Sequence, residues 1–167
     1  MIRSMGLGMP IVTAALALGL SGCVAGGSPS AEQVAAAPNS RVISAEERPT
    51  IEGQSSWSGN LAAAGMDLTS VARDERGWLI LWQLIGEEPP ADLPDDTMAV
   101  GVFLGARPTD GYSVGINEVV SSDNGMVVRY SENEPAVGAD VADAVIAPYT
   151  VMLLPESADV VHFERLR

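Results

Sequence analysis

The chain has 167 residues, 47% of them apolar and 19% charged, and a net charge of −13. That is enough apolar material to bury one domain core, which excludes a disordered acidic tail. All 9 basic residues are arginines, and they are scattered, so the clustered cations that nucleic acid or anionic lipid headgroups require are absent.

The N-terminus reads MIRSMGLGMPIVTAALALGLSGC. One positive charge at Arg3, an apolar run from Ile11 to Leu20 and small residues after it have the order of a secretory signal. The run is too short and too glycine-interrupted for a membrane span. Leu20-Ser21-Gly22-Cys23 resembles a bacterial lipobox, and the only cysteine of the chain falls at its required position. The resemblance implies cleavage after Gly22 and lipidation of Cys23, with acyl chains contributing about 0.8 kcal/mol per buried methylene. Val24 stands where an inner-membrane retention signal would place aspartate. An outer-membrane anchor in a Gram-negative envelope is therefore expected, with the signal at 1–22 and the lipidated cysteine and a flexible tether at 23–54. The tether assignment rests on the Ala, Ser, Gly, Pro and Glu content of Val24–Gln54.

A β domain is expected over 55–167. Met66–Ala72 alternates as a strand. Asp74 then caps a helix over Glu75–Ile85 that Gly86 ends, with Trp78, Leu81, Trp82 and Ile85 on one face. The two tryptophans at helical spacing predict core packing. Glu87–Asp96 is a proline-rich acidic loop, and Thr97–Gly105 is a buried strand by length and content. Tyr112–Ser121 and Met126–Ser131 flank Ser122-Asp123-Asn124-Gly125, where Asn-Gly predicts a hairpin through residues that tolerate positive φ. Tyr149–Leu154 and Val160–Leu166 complete the strands. The expected fold is mainly β, an antiparallel sandwich or open barrel of about six strands with one short amphipathic helix.

Chemistry is sparse in this pattern. His162 is the only histidine, and no partner for a general base is identifiable. One histidine and one lipidated cysteine exclude the usual zinc ligand sets. The acidic pairs Glu87-Glu88 and Asp95-Asp96 lack the spaced ligands of a calcium loop. No phosphate-cradling or nucleophile-elbow motif appears. No catalytic residues, cofactor or metal are expected, and the chain reads as a binding or structural protein. Trp57, in Ser-Ser-Trp-Ser-Gly, is the one aromatic outside the helix that could serve as a binding platform.

One stretch is more elaborate than a hairpin needs: Gly105-Ala106-Arg107-Pro108-Thr109-Asp110-Gly111-Tyr112. Pro108 suits the second position of a turn, Gly111 can supply positive φ, and Thr109 and Asp110 can bond local amides. Tyr112 would enter the next strand with its ring on the core. Either a structural turn or a rigid contact loop satisfies these residues.

With its preceding apolar strand, this stretch resembles the PrcB C-terminal domain family, small secreted or lipid-anchored proteins named after a subunit of a bacterial surface protease complex. The helix with Trp78 and Trp82, the Glu134-Pro135…Gly138 segment and the Ala147-Pro148-Tyr149…Leu154-Pro155 close resemble further parts of that family. The likeness runs from about Asp67 to Phe163. Asp110 departs from a commoner glycine, and Ile146-Ala147 from a commoner Thr-Ser. The resemblance implies a non-enzymatic domain that binds and stabilises a protein partner, a secreted or periplasmic protease complex. Arg107, Pro108, Thr109, Asp110, Gly111, Tyr112, Pro148 and Tyr149 are the candidate contacts. The same residues are similar to the loops of chagasin-type inhibitors of papain-like proteases, which implies direct inhibition as the alternative. Arg107 stands there in an asparagine's place, Ala147 in an arginine's, and no glycine-rich third loop is present.

Overall fold

The computed structural model describes residues 39–167. The expected signal segment, Cys23 and the part of the expected tether up to residue 38 lie outside the described residues. Eight strands and one α-helix follow in the order β1 (Arg41–Val42), β2 (Ser56–Gly59), β3 (Asp67–Ala72), α1 (Glu75–Ile85), β4 (Thr97–Leu104), β5 (Ser113–Ser122), β6 (Gly125–Asn133), β7 (Tyr149–Pro155) and β8 (Val161–Leu166). They form two four-stranded sheets, β1-β5-β6-β8 and β2-β7-β4-β3. Every pairing is antiparallel except β6 with β8. The two sheets are not hydrogen-bonded to each other and share an apolar core, with Met98, Val100, Met152 and Leu154 of one meeting Val119, Met126 and Val128 of the other, so the architecture is sandwich-like.

The central strands explain why their sequences do not alternate. All eight residues of β4 are buried. Ala99 and Phe103 join the cluster under α1, whereas Met98 and Val100 face the other sheet. β7 divides the same way, with Tyr149, Val151 and Leu153 toward the helix and Met152 and Leu154 toward the second sheet. A strand covered on both faces reads as a continuous apolar run. The fold is thus three layers: α1, the β2-β7-β4-β3 sheet, and the β1-β5-β6-β8 sheet.

The helix has the bounds its sequence predicts. Asp74 Oδ1 accepts the Gly77 N–H at 2.7 Å, and Gly86 ends the helix at φ 92°. Trp78, Leu81, Trp82 and Ile85 are its buried residues. Gly101 lets the helix approach, since a Cβ there would lie 3.4 Å from Leu81 and 3.1 Å from Phe103. The acidic loop is tied back to α1 by the Trp78 indole N–H on the Ala91 carbonyl (2.9 Å) and by the Leu93 N–H on the Glu75 carboxylate (2.9 Å).

Three sequence expectations are corrected. Trp57 is no exposed platform: it packs edge-on against Trp78 and Trp82 at centroid distances of 5.9 and 5.8 Å. Residues 39–54 are not tether, because β1 pairs with β5, Ile43 is 2% exposed and Ile51 is buried in the helix-side cluster. Two isoleucines spaced eight apart carry no periodic signal, so only the surfaces that receive them reveal their role. The β5–β6 turn is centred on Asp123-Asn124, with Ser122 paired to Gly125. Only Gly125 takes positive φ (125°), and a Cβ there would lie 2.7 Å from the Val160 carbonyl.

Replacing Trp82 by alanine removes a ring that two other indoles contact and should cost about 3–5 kcal/mol of stability. Chemical denaturation compared with the parent chain measures this, and unchanged melting would refute the core placement.

Candidate functional site

The stretch 105–112 leaves β4 through Gly105, whose φ of 64° and position 2.6 Å (from its would-be Cβ) off the Met66 backbone admit only glycine. From there the loop is laid along the segment that precedes β7. Arg107 and Ile146 exchange both backbone bonds, at 2.7 and 3.0 Å. The Asp110 N–H donates to the Ala142 carbonyl at 3.3 Å, and Asp110 Oδ1 accepts the Ala142 N–H at 3.0 Å. The Leu104 N–H reaches the Pro148 carbonyl at 3.0 Å. The two candidate motifs, far apart in sequence, therefore lie side by side.

Their side chains mostly face inward. The Arg107 guanidinium donates from Nε to Glu132 Oε1 at 2.7 Å and from Nη2 to Glu132 Oε2 at 3.1 Å. Its Nη1 reaches Asp67 Oδ1 at 3.2 Å and the Leu104 carbonyl. Arg165 Nη2 approaches the same Glu132 carboxylate at 2.6 Å. The Glu132 side chain is only 3% exposed, and such burial alone would favour its neutral form. The hydrogen bonds from Arg107 outweigh that, helped by the charges of Arg107 and Arg165, and hold Glu132 below the ordinary carboxylate range. Arg107 is held charged by the same bonds, which Glu132 accepts, with Asp67 adding to them. A bidentate arginine–carboxylate pair is the strong form of this contact. Arg107 thus locks the loop onto β6 and β3.

Pro148 is buried and Tyr149 is 8% exposed, its ring stacked on Phe103 at 6.1 Å. Burial, with the charge of Glu87 adding to it, pushes the Tyr149 hydroxyl up from its usual pKa. The positive φ expected of Gly111 is not found; space requires the glycine instead, because a Cβ there would lie 2.6 Å from Pro135 and 2.8 Å from Val141. Pro108 and Asp110 are exposed, and Thr109 and Tyr112 are half-buried. Asp110, Tyr112 and Tyr149 come together on a groove of about 370 Å³ whose other wall is Ser58, Gly59 and Asn60. Sequence reasoning missed this wall and the partners Asp67, Glu132 and Arg165. They come from four separate strand regions, and only the register of the sheets assembles them. His162 is exposed on β8. Among the described residues no group of three or more His, Cys, Asp or Glu is placed to hold a metal ion.

The sign of the pH dependence follows from the lowered pKa of Glu132. Its contribution is present above the unfolded value near 4.5 and is lost as pH falls through the lower folded value. Arg107→Ala should cost about 3 kcal/mol at pH 7, because it strips the main partner from a buried carboxylate. Glu132→Gln should be less stable than the parent at neutral pH and should lose part of the parent's acid-induced destabilisation. Urea midpoints between pH 7 and about pH 2 report both effects.

With that geometry in place, comparison with known proteins locates the likeness. The model of the PrcB C-terminal family matches residues 98–155. The match runs from β4 through β7 and contains the Gly105–Tyr112 loop and the Pro148–Tyr149 close. It is the family that the sequence resembles, over a shorter span than Asp67–Phe163. No curated protein and no solved structure matches the chain.

Proposed function

We propose that the protein is a lipid-anchored binding domain of the bacterial envelope that holds and steadies a protein partner in a protease complex. The observation that carries this reading is the family match across β4 to β7, which encloses the candidate loop. The domain's build is consistent with it: a three-layer scaffold with one loop locked by a partly buried ion pair offers a shaped surface at little entropic cost on binding. The lipobox-like Leu20–Cys23 and the acidic, lysine-free composition support placement at the outer membrane through lipid, without electrostatic adhesion.

The chagasin-like alternative, direct inhibition of a papain-like protease, needs Arg107, Pro148 and Tyr149 to be presented to a cleft. Their side chains are committed to Glu132, the core and Phe103. The partner-holding reading asks only for the exposed rim of the loop and the groove beside it.

Tagged full-length protein, purified from detergent-solubilised membranes, should bring down a secreted or periplasmic protease or its complex in near-stoichiometric amount. Recovery of the lipoprotein alone under several mild conditions would overturn the reading. Cys23→Ala should abolish incorporation of labelled palmitate and move the protein out of the membrane pellet. Persistent labelling in that variant would refute the anchor.

A further inference from the structure

A sandwich can accept another chain at its sheet edges, where backbone N–H and C=O groups lack partners. The edge formed by β3 and β8 is guarded. Arg73, just past β3, spans to the Ser157 and Asp159 carbonyls at 2.9 and 2.6 Å. Asp67 at the other end of β3 is paired with Arg107, and β8 carries His162, Glu164 and Arg165. Charges and cross-links of this kind keep an edge from pairing.

The opposite side is different. β5 is ten residues long and pairs with β6 along its length. On its other side β1 pairs only with Ser121 and Val120, and the Ile43 N–H then makes a bond to the Val119 carbonyl at 2.8 Å. Val119 has its side chain in the core. Residues that share a face of a strand also turn their peptide groups to the same edge. Val114 and Ile116 share that inner face with Val119, across the irregularity at Asn117. Their N–H and C=O groups thus point to the side β1 occupies further along. Among the described residues, no strand pairs with them there. The facing layer repeats the observation. Trp57 of β2 packs toward α1, so Ser56 and Ser58 point toward the second sheet, and both are exposed. The groove of about 370 Å³ between Ser58–Asn60 and Tyr112–Val114 occupies this place, with Tyr149 among its lining residues.

We propose that the open half of β5, Ser113–Asn117, binds an extended segment of the protein partner as an added strand that continues the line of β1. The proposal rests on the partner-binding reading and names its mode. Free peptide groups at two-residue spacing are matched by another backbone, and β1 already shows that this edge accepts an antiparallel strand. The outward residues Ser113, Gly115 and Asn117 are uncharged, and the groove's one charged residue is Asp110. A second copy of a chain with net charge −13 would set like charge against Asp110. The occupant is therefore a segment of the partner with neutral or basic side chains, one apolar group lying over Tyr112 and Tyr149.

The test uses the full-length protein in membranes with a benzoyl-phenylalanine photocrosslinker at Ser58, at Ser113 or, as a control, at Leu79 on the exposed side of α1. Crosslinks to the co-purifying partner from Ser58 and Ser113 but not from Leu79 are expected. Ile116→Pro removes the outward N–H and should reduce partner recovery by roughly tenfold or more, whereas Ile116→Ala, which keeps that N–H, should retain it. A partner that co-purifies but crosslinks only from Leu79 overturns the strand-addition mode and leaves the partner reading standing. Equal loss of recovery in both Ile116 variants also overturns the mode, because packing and not the edge would then be responsible. With no co-purifying chain and no crosslink at any position, both readings fail.

Discussion

The architecture depends on burying β4 and β7 on both faces at once. Each strand must present side chains that fit a helix on one side and a sheet on the other, and the interior of a protein tolerates few misfits. Gly101 admits Leu81, Phe103 supports Tyr149, and the three tryptophans fill the space between α1 and the sheet. With a single cysteine in the chain, no internal disulfide can assist. Packing must stabilise the fold, as it does in most domains of this size.

This double burial also dictates where polar chemistry can go. The loop after β4 has to turn away from a fully apolar strand, and it does so by carrying Arg107 back over the sheet to Glu132 and Asp67. Such a pair is costly to desolvate and strongly destabilising to break, so it makes the loop specific in conformation more than it makes the domain stable. What the loop leaves outside is modest: Ala106, Pro108, Asp110 and parts of Thr109 and Tyr112. The loop's arginine and glycines are structural, and its rim borders a groove between two incompletely covered strands.

The match to the PrcB C-terminal family falls on this doubly buried centre and its loop. The helix α1 and the peripheral strands β1, β2, β3 and β8 lie outside the matched residues. Those strands decide which sheet edges are guarded and which is open. The surface proposed to receive a partner therefore arises where matched β5 meets unmatched β1 and β2.

Local chemistry made several features legible in the sequence. Asp74 and Gly86 bound the helix because a cap acceptor and a left-handed residue act on their nearest neighbours. The continuous apolar runs marked β4 and β7 because burial on two faces leaves no polar position. Gly105 and Pro108 marked a turn for the same short-range reason. Other features depend on groups brought together across the chain. Two buried isoleucines in an apparently featureless leader, Trp57 inside an indole cluster, and a carboxylate on β6 reached by arginines from a loop and from β8 show no periodicity or spacing of their own. Sequence by itself determined the helix α1, the turn at Gly105–Pro108 and the strands from β3 to β8, but neither β1 nor β2, since the former choices are made by hydrogen bonds and side chains within a few residues. The tertiary structure alone decided which side chains are buried as pairs and which strand edge stays open, since both depend on register between segments that are far apart along the chain.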